Sequence, residues 1–419
     1  MLKVLWVNNI AIPQIAETIG MQSVYVGGWM VKLADEISSI PDIDLTIAFP
    51  FSKEIEGEVG KLSYYSFNID SKKVKIDSII GQDKRVERIL ENVNPDIIHI
   101  FGTEYAHCYV FTSVAKKLGI IEKTVISIQG LKSIYAKHYE AYLPHNIVVG
   151  HSIRDLYKGN VLAGKKLFEK MGEVEKEAIR SVRHLIGRTD WDKACTYLIN
   201  PNAEYHFNSE MLRDSFYIAN QWNYNECAPH SIFVSQATQP LKGLHIAIEA
   251  VSLLKPFFPD ISIRIAGRSY TQKRKFKLSK YEQYVLGMIN AKGLENNIFF
   301  TGLLNEQQMV EEYRRCNAFV CASSIENSPN SLCEAMMLGV PIVTSLTGGI
   351  ENLLKHNEEG YVYQADAPYM LAFYLKKIFD AQDSIAEVGN KARETAIARH
   401  DVSKIVNELM NIYYSIRKE

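Results

Sequence analysis

Short runs of uninterrupted apolar residues recur along the chain, each followed by a stretch whose hydrophobic positions have helical spacing. Residues 2–8 read as a first strand, and Gly27-Gly28-Trp29 opens a helix over 30–38. Residues 45–49, 95–101 and 124–129 follow as strands, with a helix over 109–118 between the last two. The pattern then predicts a helix over 169–182, a strand at 184–187 and another helix over 190–198. Strands that are apolar throughout and alternate with helices belong to a parallel sheet covered on both faces.

Between 205 and 229 the pattern becomes irregular, aromatic and polar, as expected of a linker. Strand-like runs resume at 231–235, 261–266, 317–322 and 340–345, and a last helix with apolar faces spans 402–416. The expected organisation is a first domain over 1–215, a linker over 216–230, a second domain over 231–400 and a terminal helix over 401–419. No short-period repeat or low-complexity segment is visible.

The loop after the strand at 317–322 carries the most informative chemistry, Glu326-Asn-Ser-Pro-Asn-Ser-Leu-Cys-Glu334. Pro329 suits a helix start, Asn330 and Ser331 are natural N-caps, and Gly339 is a natural stop. Unpaired N–H groups and the dipole at such a helix start attract anions, phosphate above all. Ser331-x-x-Glu334 also has the spacing of a capping box, in which the glutamate serves its own helix. Spacing alone leaves both readings open. The Gly348-Gly349 turn follows the next strand, at the same end of a parallel sheet, where ligands bind. That joint position favours a binding site.

The chain has 419 residues, a mass of 47.6 kDa and a formal net charge of −1, enough for two domains and without the basic excess of a nucleic-acid binder. Its six cysteines form no CxxC pair or metal-like spacing and suit small core positions in a reducing compartment. The first seven residues are too short for the apolar region of a signal peptide, and no apolar run approaches the roughly 20 residues that span a bilayer. No carboxylate pair placed to hold a metal is evident.

Over essentially its whole length, and strongly from about 232 to 363, the chain resembles glycosyltransferase family 4, the retaining transferases of the GT-B fold. The resemblance rests on Val234-Ser-Gln-Ala-Thr-Gln-Pro-Leu-Lys242-Gly243, Phe299-Phe-Thr-Gly302, Tyr313-Arg-Arg-Cys-Asn-Ala318, the Glu-x7-Glu spacing of Glu326 and Glu334, Ala335-Met-Met-Leu-Gly-Val-Pro341, Gly348-Gly349 and Glu359-Gly360. It implies an α/β fold of two doubly wound Rossmann-like domains facing a central cleft, with the terminal helix crossing back to the first. It also implies transfer of a sugar from a UDP-sugar or GDP-sugar to a glycan or lipid-linked acceptor, as in surface polysaccharide biosynthesis, without a cofactor or metal. Such an enzyme is expected in the cytoplasm, or peripherally on the inner face of the membrane.

The resemblance assigns roles. Lys242 meets the departing diphosphate, aided by N–H groups at Asn330, Ser331 and Leu332 and by the turn at Gly348 and Gly349. Glu326 orients the transferred sugar, and Glu334 accepts from the ribose hydroxyls, since a carboxylate can serve two vicinal hydroxyls at once. Gly27 and Gly28 correspond to the glycine loop beneath the donor, although a plain tight turn has the same composition. They lack G-x-G-x-x-G spacing and no acid follows at the right distance, so they do not form a dinucleotide fingerprint.

Two positions depart from the family. An arginine usually precedes the lysine, where this chain has Ser235-Gln236. Arg268 is the leading substitute cation and Arg188 the second, and both are equally suited to structural ion pairs. A histidine often found near the donor sugar is replaced by Gln129-Gly130. In the first domain, Glu104 and Tyr105 end a strand on the acceptor side with Gln129, and His138, Tyr139, Tyr142 and His145 add rings that stack on sugars or sit at membrane interfaces. Lys158, Lys165, Lys166 and Lys170 suit a lipid diphosphate or an anionic bilayer, though nearby acids also allow a solvated helix. The cluster 273–277 is more sharply basic and is available to nucleotide, acceptor or neither. A phosphorylase, a sugar-nucleotide epimerase and a non-catalytic nucleotide-sugar or glycan binder are the competing classes.

Overall fold

The computed structural model describes residues 1–21, 28–70, 76, 83–236 and 238–418. Gly27 lies outside the described residues. By its contacts the chain divides into two compact units. One comprises Met1–Ala136, Phe168–Arg213 and His400–Glu419, and the other comprises Lys137–Leu167 and Asp214–Arg399.

The first unit holds eight strands: β1 (Leu2–Val7), β2 (Ile43–Pro50), β3 (Glu56–Val59), β4 (Leu62–Phe67), β5 (Ile97–Phe101), β6 (Thr124–Ser127), β7 (His184–Gly187) and β8 (Glu204–Phe207). Their order is β3-β4-β2-β1-β5-β6-β7-β8, parallel except for the β3–β4 hairpin. The sheet reverses its winding between β1 and β5, so the loops after these two strands flank a topological switch point. β3 escapes the hydrophobic pattern because Glu56-Gly-Glu-Val59 has no fully buried position. β8 lies inside the stretch read as linker, and its side chains are only half-buried as the edge partner of β7.

The terminal helix Val402–Lys418 is fixed to this unit through Tyr413. Trp6 Nε1 can only donate, so the Tyr413 hydroxyl accepts from it at 2.9 Å and gives its own proton to His99 Nδ1 at 2.6 Å. His99 Nε2 then carries the ring proton and donates to Ser127 Oγ at 2.6 Å. Burial pulls the His99 pKa down to about 3, which keeps that ring neutral.

The second unit holds β9 (Ser231–Val234), β10 (Ser262–Ala266), β11 (Ile298–Gly302), β12 (Ala318–Cys321), β13 (Ile342–Ser345) and β14 (Tyr361–Tyr363). All pairs are parallel, in the order β11-β10-β9-β12-β13-β14. Winding runs outward both ways from β9, which places the switch point between β9 and β12. Residues 137–167, which the sequence reading keeps in the first domain, cluster with this unit. Their hydrogen bonds explain why: Ser324 Oγ donates to His138 O at 3.1 Å, and Lys280 N–H donates to Asp155 Oδ2 at 2.7 Å.

Candidate active site

β9 leads into the turn Pro240–Lys242, and Gly243 then opens the helix Leu244–Leu254 with φ +67°. A Cβ on Gly243 would stand 1.8 Å from Ala322 O, so only glycine lets this turn lie against the end of β12. The two loops at the switch point are thereby locked together, and Ser324 N–H also donates to Leu241 O at 2.8 Å. Their side chains meet as an ion pair: Lys242 Nζ is 2.6 Å from Glu326 Oε1. Ser323 Oγ donates to the same oxygen at 2.6 Å. Glu326 is 6% exposed. Burial pulls the Lys242 pKa down, but the charge and hydrogen bond of Glu326 outweigh it and the net shift is upward. Lys242 is therefore a fixed cation at neutral pH.

The turn after β13 supports the same carboxylate from its backbone side. Gly348 has φ +52°, and a Cβ there would stand 1.8 Å from Glu326 O. Gly349 N–H donates to that carbonyl at 3.0 Å, and Ser345 Oγ donates to Ser323 O at 2.6 Å. Gly348 and Gly349 thus hold the Glu326 loop in place. Ser323 and Ser345 carry no sequence signal beyond their position at or just past the ends of strands.

The helix Asn330–Leu338 starts differently from the sequence expectation. Pro329 is its N-cap and gives no side-chain cap, so Asn330 and Ser331 are the first two helical residues rather than caps. The capping box with Glu334 does not form. Leu332 N–H is already spent on Pro329 O at 2.9 Å. Among the described residues, the Asn330 and Ser331 N–H groups have no acceptor, and both residues are partly exposed. This helix start is open to an anion. Glu334 falls at the fifth helical position, not in the first turn, and points back along the helix. It is 5% exposed, 3.4 Å from the Tyr313 hydroxyl, which donates to Ser331 O at 2.9 Å.

The two substitute cations differ sharply. Arg268 follows β10, beside β9 in the sheet, and is exposed with no ion pair among the described residues. Arg188 is buried in the first unit, 2.5 Å from Glu210 Oε2, and its guanidinium donates to Ile128 O and Gln129 O at 3.3 and 3.1 Å. Gln129 Nε2 donates to the other oxygen of Glu210 at 2.8 Å. Arg188 and Gln129 therefore share one carboxylate in a structural network.

Glu104 follows β5 at the switch point of the first unit. Its Oε1 accepts from Gly130 N–H at 2.9 Å, while Oε2 is buried and has no partner among the described residues. Burial above all, with a contribution from the Glu175 charge, pushes its pKa up to about 7. Gly28 begins the helix Gly28–Ser39, where a Cβ would meet the Arg213 side chain at 2.9 Å. Among the described residues, the cluster spaced to hold a metal ion is His184, Glu204 and His206, at the N-terminal edge of β7 and β8 and away from the strand ends that carry Gln129 and Arg188.

The ring-rich stretch expected on the acceptor side lies instead against the second unit's switch point. His245 Nε2 donates to Ala141 O at 2.7 Å and Tyr281 lies 3.3 Å from Nδ1. Ala141 and Tyr142 both adopt positive φ, 50° and 60°, an unusual pair of left-handed residues.

Residues 218–395 match the family of glycosyl transferases group 1. That stretch, which holds Lys242, Glu326 and Glu334, is similar to group 1 glycosyl transferases. The phosphatidyl-myo-inositol mannosyltransferase of Mycobacterium leprae is 24% identical over 187 residues, 44% of this chain and 46% of that protein. The poly(ribitol-phosphate) alpha-N-acetylglucosaminyltransferase of Staphylococcus aureus is 25% identical over 42% of this chain and 34% of that one. The chain thus spans about half the length, or less, of these curated relatives. Anabaena HepE, solved in complex with UDP and glucose, superposes with a TM-score of 0.64 over 99% of this chain and 100% of its own, at 15% identity. Likeness across the whole chain establishes the GT-B fold.

Proposed function

We propose that this protein is a retaining glycosyltransferase that moves a sugar from a nucleoside diphosphate donor to a glycan or lipid-linked acceptor in surface polysaccharide synthesis. The observation that carries the reading is the Lys242–Glu326 pair at the switch point, beside an uncapped helix start. Breaking the anomeric C–O bond leaves negative charge on the departing diphosphate, and stabilising that charge is the main catalytic demand. Lys242 supplies a cation, Asn330 and Ser331 supply N–H donors, and Arg268 supplies the second cation that Gln236 lacks. With its lysine drawn to phosphate, Glu326 is free to accept from sugar hydroxyls, and Glu334 takes the ribose. These groups neutralise the diphosphate without a metal.

The mannosyl and N-acetylglucosaminyl transfers named for the curated relatives support a glycosyl donor, and UDP in HepE supports a uridine nucleotide. Melting temperature with UDP, GDP and their sugars selects the donor, because a ligand bound at 100 times its Kd stabilises by about 2.7 kcal/mol. Transfer from the selected radiolabelled donor should survive EDTA and fall by about 10²–10³ in Glu326→Ala. Nucleotide binding without transfer or hydrolysis across donors and acceptors would instead make the chain a binding subunit.

A further inference from the structure

The helix Ile153–Lys158 in the second unit is oriented against the usual logic of an amphipathic helix. Its one acidic residue faces in and its apolar residues face out. Asp155 is buried: it closes a capping box with Ser152 and accepts from Lys280 N–H at 2.7 Å. Ile153, Leu156 and Tyr157 share one face at i, i+3 and i+4, and are 61%, 70% and 87% exposed. The hydrogen bonds of Asp155 fix that orientation, so the display is built into the fold.

The turn Lys275–Lys277 packs against this helix. It brings Phe276, 48% exposed, close to the helix, together with exposed Arg274, Lys275 and Lys277. Lys158 lies on the helix itself, and Arg154 there pairs with Asp155 at 3.1 Å. Over these two segments the one acid is Asp155, which is consumed internally. An outward apolar wedge ringed by cations is the chemistry of a surface that seats in the boundary between acyl chains and anionic headgroups.

We propose that the face formed by Ile153, Leu156, Tyr157 and Phe276 with Arg274, Lys275 and Lys277 docks this protein onto an anionic lipid bilayer. Charge complementarity selects that occupant: a second copy would set the same cations against each other, whereas phosphate headgroups neutralise them. The inference deepens the proposed function by placing the enzyme where a lipid-linked acceptor resides.

Co-sedimentation with vesicles tests it without donor or acceptor, so its outcome is separable from any failure of the transferase reading. The full chain should bind vesicles of phosphatidylglycerol and phosphatidylcholine at 3:7 at least about tenfold more tightly than pure phosphatidylcholine, since each basic side chain near such a surface adds roughly fivefold. Ile153→Ser with Leu156→Ser should weaken binding by roughly tenfold or more while leaving the melting temperature and transfer to a short soluble acceptor unchanged. Lys275→Glu with Lys277→Glu should abolish the preference for anionic lipid. Equal binding of the wild type to both vesicles would overturn the proposal, as would wild-type binding by both variants. A dimer in light scattering that the Ile153 and Leu156 substitutions split would reassign the face to self-association.

Discussion

Lys242 Nζ lies 2.6 Å from Glu326 Oε1 across the switch point between β9 and β12, so the proposed phosphate cation and the proposed sugar acceptor neutralise each other. The pair keeps two charged groups in a largely buried place without a ligand. It also makes them energetically dependent, because removing either leaves the other's charge uncompensated.

That dependence has a measurable signature. Lys242→Ala and Glu326→Ala should each lower kcat/KM by about 10²–10³. In unfolding experiments the double variant should cost less than the sum of the singles, with a coupling of about 1–3 kcal/mol. Additive costs would show that the two charges do not share an interaction in solution.

The glycine turn offers a steric test. Gly348→Ala places a methyl against Glu326 O in a left-handed conformation, with φ +52°, whereas Gly349 has φ −88°. Gly348→Ala should therefore destabilise by at least about 1–2 kcal/mol and weaken donor binding. Gly349→Ala should be better tolerated on backbone grounds. Equal melting temperatures for the two variants would contradict the geometry.

How much was legible in the sequence follows from where each signal lives. Apolar runs such as 97–101 and 342–345 announce strands because both faces of a parallel sheet are buried. Glu56-Gly-Glu-Val59 and the half-exposed Glu204–Phe207 escape because edge strands need little burial. Glu326 and Lys242 were readable as motif residues, but their ion pair was not, since it joins positions 84 residues apart. The Ser331-x-x-Glu334 spacing pointed to a cap that Pro329 displaces by starting the helix two residues earlier. The stretch 137–167 was placed by sequence order, yet buried Asp155 and the carbonyls of His138 and Ala141 bind it to the second unit.

Arg268 and Arg188 separate by what their loss does. Arg268→Ala removes an exposed guanidinium after β10 with no ion pair among the described residues, so stability should change by less than about 0.5 kcal/mol while donor affinity falls. Arg188→Ala strands the buried Glu210 carboxylate and should cost about 3–5 kcal/mol in denaturant unfolding. If Arg188→Ala instead kept full stability and lost donor affinity, the missing cation at Gln236 would belong to the first unit.

Glu104 predicts a pH dependence whose sign is fixed by its raised pKa. Burial holds the carboxyl at about 7 in the folded protein against an ordinary 4.5. Between these values the folded state keeps a proton that the unfolded chain has lost, so this group's contribution is complete below 4.5 and is lost as pH rises through 7. The slope is at most ~1.4 kcal/mol per pH unit for a single proton. His99, His107 and His245, buried and held near 3, 3 and 4, act in the opposite direction, because the unfolded chain takes up their protons below about 6.5. The comparison with Glu104→Gln cancels them: the stability of the variant relative to wild type should be flat below 4.5, climb through 7 and level off above it. A difference independent of pH would show that Glu104 ionises normally, with its Oε2 reached by water.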